Sequence, residues 1–162
     1  MHQVFQLSIQ QDMLTPAILA MAGSPLLAVI LCLILSKYHK VINLITLGFS
    51  AFSLMVSVGI AWSMMAWDLE MIRLHLFGVN FYVDALSTYF ILLVNLVAFI
   101  ASFYTIQFLR FDAIHNSRHN PVFFNSFFNL FHFSMLLVPL VDNLVALWIA
   151  IELTTVFSTL LV

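Results

Sequence analysis

Five long runs of apolar residues, almost free of charge, constrain this chain more than any other feature. Apolar residues make up 64% of the 162 residues and charged residues 7%, against roughly 45–50% and about 25% in soluble domains. At about 1.5 Å rise per residue, each run is long enough to cross a hydrocarbon core of roughly 30 Å. We therefore predict an all-α membrane protein with one membrane domain over residues 1–162 and about five spans, at 14–36, 41–67, 84–108, 122–141 and 144–162.

The basic residues predict how these spans are oriented. Lys37 and Lys40 lie between the first two spans, and Arg110 and Arg118 lie between the third and the fourth. Only Arg73 lies on the opposite side. Because loops rich in Lys and Arg stay in the cytoplasm, the N-terminus is predicted outside and the C-terminus in the cytoplasm, with the lipid bilayer as partner. A net charge of −2 without a basic patch argues against nucleic acid.

The connections between spans differ in kind. In Leu69–Val83, apolar and polar residues alternate up to Gly78-Val79-Asn80, a turn-forming sequence. This pattern predicts a short extracytoplasmic β-hairpin between spans two and three, with an irregular loop as the alternative. Asp142-Asn143 is a minimal turn, so spans four and five are predicted to be adjacent and antiparallel. The first span is expected to be interrupted at Pro16, Gly23 and Pro25.

Glu152 is the residue that points most directly to function. It lies inside the apolar run 144–162. A carboxylate within the bilayer costs several kcal/mol unless a partner, water or protonation relieves it, so its default interpretation is functional. The alternative is a protonated Glu that hydrogen-bonds a neighbouring helix as part of the packing.

A polar stripe predicts where other functional groups lie. Asn125, Asn129 and His132 follow a spacing of i, i+4, i+7 in the fourth span, so they share one helix face. Counting about 1.5 Å per residue from the Asp142-Asn143 turn sets His132 and Glu152 roughly 14–15 Å deep. Counting from Asp84 brings Asn95 to a similar depth, so a carboxylate, an imidazole and an amide are predicted in one layer.

That layer predicts proton chemistry. His gives and takes protons near neutral pH, and a buried Glu has a pKa that its surroundings can tune. We predict a proton relay through Glu152 and His132, with Asn95, Asn125, Asn129 and Thr155 as supporting polar groups. The alternative for His132 is a neutral ring hydrogen-bonded to a carbonyl or to an Asn of the neighbouring span.

Several motifs resemble one family of membrane proteins. Tyr82-Val83-Asp84-Ala85-Leu86 is similar to the V-D-x-L start of span three in the proton-pumping membrane subunits of respiratory complex I. Spans four and five of that family resemble Phe127–Phe131, Ser134–Val138, Asp142–Leu144 and Trp148–Thr155. The A-I-E-x-T-T form is most similar to the F component of hydrogenase 4, in the formate hydrogenlyase branch of the group 4 hydrogenases. The resemblance is specific from Asp142 to Thr155 and weak before Asp68.

The resemblance implies a role for Glu152, which matches the span-five carboxylate on the family's central hydrophilic axis. It implies nothing for His132, because the matching position is commonly apolar. Full members have about fourteen spans and pair that carboxylate with a Lys on a later broken span, whereas no lysine follows Lys40 here. We therefore expect the chain to be an N-terminal piece: a split subunit, a truncated reading frame or a partial chain.

Two functions remain open at this point. The chain is either part of a proton-translocating membrane subunit of a hydrogenase-4, formate hydrogenlyase or NADH–quinone oxidoreductase-type complex, or a truncated or split scaffold piece without transport. In the first case its partners are other membrane subunits, including one that supplies the missing helices, and its location is the bacterial inner membrane. No redox catalytic site, cofactor motif or metal-ligand cluster is recognisable, and Cys32 is expected to be a small buried apolar residue.

Overall fold

The computed structural model describes residues 2–66, 71–76, 79–115 and 120–161. Side chains are described from residue 14 onward, except at 39–40, 73–76, 79–80 and 112–115. Within these residues the chain forms five helices and one two-stranded hairpin. The elements in chain order are α1 (His2–Ile34), α2 (His39–Ala66), β1 (Met71–Leu76), β2 (Val79–Asp84), α3 (Ala85–His115), α4 (Pro121–Leu137) and α5 (Leu144–Leu161).

Four of the helices are long and apolar enough to cross a membrane. The span-length segments are Leu14–Ile34, Val41–Ala66, Ala85–Phe111 and Leu144–Leu161. The remaining helix, α4, is apolar but has only 17 residues. The prediction of a helical membrane-type fold is therefore confirmed, with four span-length helices and one shorter helix among the residues described.

The first helix is continuous where the sequence predicted interruptions. α1 contains Pro16 and Pro25 within its 33 residues, and Gly23 also lies inside it. The expected breaks are therefore wrong. Each proline removes one backbone hydrogen bond, but membrane helices tolerate this loss where neighbouring helices and hydroxyl side chains satisfy the freed groups. Ser24, which is buried, donates a hydrogen bond to the carbonyl of Met21 at 2.8 Å.

The predicted hairpin forms, as a minimal two-stranded antiparallel sheet. Its register pairs Met71 with Asp84 and Leu76 with Val79. Val79 belongs to β2 and not to the turn, and Phe77 and Gly78 lie outside the described residues.

Asp84, the last residue of the hairpin, also caps the start of α3. The backbone N–H of Ser87 donates to the Asp84 carboxylate at 2.7 Å. This contact satisfies one of the free N–H groups at the start of the helix. It also holds the pKa of Asp84 below its ordinary value, because the hydrogen bond favours the charged form.

α4 ends four residues before the predicted boundary at Val141. Pro139 has no N–H to continue the helix, and the N–H of Leu140 turns back to the carbonyl of Leu137 at 3.1 Å. The carbonyl of Leu140 then accepts from the N–H of Tyr82 at 3.0 Å. Pairing with the hairpin therefore replaces the last helical turn. The Asn143 side chain accepts from the N–H of Val145 at 2.8 Å and so caps α5.

The helices pack around a core that changes character along its length. α1 packs on α2 and α4, α2 packs on α3, and α5 packs on α4. Near the hairpin the core is apolar, and its buried members are Leu14, Ile18, Met21, Ile60, Met64, Ile72, Val83, Ile91, Val94, Leu136 and Leu140. Toward the opposite end, buried polar side chains line the contacts of α2 with α3 and α4. On the hairpin side, apolar packing therefore separates these polar groups from solvent.

Candidate functional site

A row of small polar residues runs along the inner face of α2. Thr46, Ser50, Ser53 and Ser57 recur every three or four residues and are each no more than 1% exposed. Residues with this spacing share one helix face. With Asn43, one turn before Thr46, and the α3 and α4 residues that they contact, they form what we call the polar seam.

The centre of the polar seam is a three-residue contact that joins three helices. The Asn95 side-chain carbonyl accepts a hydrogen bond from the Ser53 hydroxyl at 2.7 Å. The same oxygen lies 2.9 Å from Nε2 of His132. A carbonyl oxygen can only accept, so Nε2 carries the proton in this arrangement. Asn95 and His132 are 0% and 2% exposed, so this contact lies deep inside the bundle.

The polar seam continues from this centre toward the N-terminal end of α4. The Asn129 amide donates to the Thr46 hydroxyl at 3.0 Å and to the carbonyl of Asn125 at 2.8 Å. The Asn125 amide donates to the Asn43 side-chain carbonyl and to the carbonyl of Pro121, both at 2.8 Å. The stripe predicted on the fourth span therefore faces α2 and α3, as expected for polar groups within a membrane.

Glu152 lies outside the polar seam. It is the ninth residue of the 18 in α5, about 12 Å from Leu144 at roughly 1.5 Å per residue. α5 packs on α4, and its one buried residue is Ala150. Glu152 follows Ala150 by two residues, about 200° around the helix axis at roughly 100° per residue. The carboxylate is therefore exposed on the face of α5 that points away from α4.

Thr159 lies on the same outward face, and Thr155 lies at its edge, next to a groove that α5 forms with α3 and α4. Both residues are exposed, and each hydroxyl donates to a backbone carbonyl four residues earlier, at 3.1 Å and 2.9 Å. Their hydrogen-bonding needs are thus met within α5. Glu152 differs, since its carboxylate makes no hydrogen bond or ion pair with the described residues.

The predicted site residues therefore fall into two groups. His132, Asn95, Asn125 and Asn129 are brought together in the polar seam, with Asn95 bonded directly to His132. Glu152 lies on the outward face of α5 and Thr155 at the edge of that face, and neither is brought to that seam by this chain. The hydrogen bond from His132 to Asn95 matches the alternative interpretation of a ring bonded to an Asn of a neighbouring helix.

The α2 residues of the polar seam were not predicted from the sequence. The sequence does contain a pattern that predicts a polar face on this helix. Polar residues repeat at helical spacing within an otherwise apolar run, at Asn43, Thr46, Ser50, Ser53 and Ser57. Single Ser and Thr residues are common in membrane helices, so only the repeat distinguishes them.

A groove borders the outward face of α5. It lies between α3, α4 and α5, has a volume of about 790 Å³, and is lined mainly by apolar side chains with Thr154, Thr155 and Ser158 along one wall. Within the described part of the chain, no group of three or more His, Cys, Asp or Glu is arranged to hold a metal ion. When the chain is compared with known proteins, neither a family model nor a curated protein matches it.

Proposed function

We propose that this chain is part of a proton-translocating membrane subunit in which Glu152 is the intramembrane relay carboxylate. The observation that carries the proposal is the position of Glu152 at the middle of a span-length apolar helix, exposed on its outward face. A carboxylate at that depth is costly when it faces hydrocarbon, and such groups normally serve ion or proton pathways.

The exposure of Glu152 implies that another polypeptide or segment covers this face in the working assembly. All five Lys and Arg residues of the chain, at 37, 40, 73, 110 and 118, lie outside the middle of the spans. A second copy would therefore offer no Lys or Arg at the depth of Glu152. The partner has to bring its own polar or cationic group, because an unpaired carboxylate would otherwise remain in the lipid.

The resemblance described above supports a particular class of assembly. The run Ala150-Ile151-Glu152-Leu153-Thr154-Thr155 is similar to span five of the hydrogenase 4 and complex I membrane subunits. We therefore propose a hydrogenase-4, formate hydrogenlyase or NADH–quinone oxidoreductase-type complex of the bacterial inner membrane. Electron transfer would occur in partner subunits.

One observation favours a second candidate, a scaffold piece without transport. His132 is 2% exposed and bonded to Asn95, an arrangement that serves helix packing without proton transfer. In that case Glu152 would be protonated and hydrogen-bonded to a neighbouring helix.

Purification of the native assembly tests the proposed complex. The chain carries an affinity tag at its N-terminus, membranes are solubilised gently, and co-migrating proteins are identified by mass spectrometry. We expect hydrogenase-type or quinone oxidoreductase-type subunits to co-migrate, together with proton-coupled electron transfer on reconstitution. A chain that migrates alone, or with proteins of neither class, would contradict the proposal.

A further inference from the structure

The polar seam contains buried hydrogen-bonding groups that the protein leaves unsatisfied. Among the described residues, Nδ2 of Asn95, Oδ1 of Asn125 and Oγ of Ser126 are buried and have no hydrogen-bond partner. Asn95 and Asn125 are both 0% exposed. An unsatisfied buried polar group costs roughly 1–3 kcal/mol, so native structures normally supply it with protein or water partners.

The Asn95 and Asn125 groups lie at the two ends of one nearly continuous set of contacts in the polar seam. The Asn95 amide group is at the centre of the bundle beside Ser53 and His132. The Asn125 carbonyl is at the end where Asn43 is half-buried. Between them, Asn129 bonds both to α2 and to the backbone of α4. Water bound to the free groups would link the direct hydrogen bonds into one continuous hydrogen-bonded chain.

The two ends of this hydrogen-bonded chain differ in their access to solvent. On the hairpin side, the apolar core around Ile91, Val94 and Leu136 closes the bundle. A smaller apolar cluster of Cys32, Ile42 and Val122 lies at the other end, where Asn43 is only half-buried and Asn120 is exposed. The Asn120 side chain caps α4 by accepting from the N–H of Val122 at 3.0 Å. Buried waters occupy polar sites with several hydrogen-bonding groups, whereas apolar regions stay dry.

We propose that the polar seam is a water-binding inlet that is open at the Asn43 end and closed at the hairpin end. It binds ordered water at Nδ2 of Asn95 and at Oδ1 of Asn125, and it reaches His132 without using Glu152. The inlet is built within this chain by α2, α3 and α4, with Cys32 and the Met21 carbonyl of α1 beside it, so it requires no partner polypeptide. The inlet therefore does not depend on whether the chain belongs to the proposed proton-translocating complex.

Solid-state NMR of the full chain in lipid bilayers tests the inlet. Magnetisation is transferred from water protons to ¹⁵N-labelled Asn side-chain amides, and each amide is assigned in the unaltered chain, so no variant has to fold. Asn129 is the matched control, because both of its N–H bonds are used by Thr46 and by the backbone. The exposed Asn143 is the positive control.

We expect the water signal at the Asn95 amide to be roughly twofold or more stronger than at Asn129, and to approach that of Asn143. Equal, weak signals at Asn95 and Asn129 would overturn the inlet, since the Asn95 amide would then be dry. Because the measurement needs neither turnover nor partner subunits, a failure of the proposed proton-translocating function would leave it unaffected.

Discussion

Replacing Glu152 by Gln in the complete assembly is expected to lower coupled proton movement by at least about tenfold while electron transfer remains partly intact. The amide has nearly the same shape as the carboxyl group but cannot take up and release a proton near neutral pH. Packing on α4 should be preserved, because Glu152 is exposed on the face opposite the buried Ala150.

The measurement combines proton release and electron transfer in the same reconstituted vesicles. Asp142→Asn is the matched control, since Asp142 is an exposed carboxylate in the turn before α5 and not within the helix. That change should leave the proton-to-electron ratio unaltered. Undiminished proton movement in the Glu152→Gln assembly would refute the relay role and favour the scaffold function.

The second large effect concerns the stability of the bundle. Asn95→Leu should destabilise the chain by about 1–3 kcal/mol, because it removes from the buried polar seam the acceptor shared by Ser53 and His132. Ser53 keeps a longer contact with the Met21 carbonyl at 3.5 Å, so the His132 N–H bears most of the loss. Part of the loss is offset, since the unsatisfied amide of Asn95 is removed as well. Hydrogen bonds within membranes average about 0.6 kcal/mol each in double-mutant cycles, so the lower half of the range is expected.

Equilibrium unfolding in mild detergent measures this change in the free energy of unfolding. Ser126→Ala is the contrasting variant, because it deletes a buried hydroxyl that has no partner among the described residues. It should be neutral or slightly stabilising. An Asn95→Leu chain as stable as the unaltered one would show that the contact between Asn95, Ser53 and His132 contributes nothing to packing.

Much of this architecture follows from periodicity in the sequence. The spacing of Asn125, Asn129 and His132 predicted a shared polar face, and the structure directs that face at α2 and α3. Counting residues from the turns predicted that Asn95 lies at the depth of His132, and the two side chains are 2.9 Å apart. Depth follows from the constant rise of a helix, so it can be read from sequence.

Rotation about a helix axis is harder to predict. Glu152 was expected at the same depth as His132, but depth does not determine which face of α5 packs on α4. That choice depends on small residues such as Ala150, which is the buried residue of α5. Similarly, α4 ends at Leu137 because Pro139 has no N–H and because Leu140 pairs with Tyr82, which is distant in sequence. Such tertiary contacts override local helix-forming patterns.

Identifying what covers Glu152 in the membrane tests its proposed relay role most directly. A photo-crosslinking amino acid at Thr155, one turn from Glu152 and at the edge of the outward face of α5, is compared with the same probe at Val97, which is exposed on α3. We predict that the probe at Thr155 joins the chain to another membrane polypeptide in the native assembly, while the probe at Val97 labels mainly lipid. If the probe at Thr155 also labels only lipid, Glu152 faces hydrocarbon, and its role as a proton-relay carboxylate is contradicted.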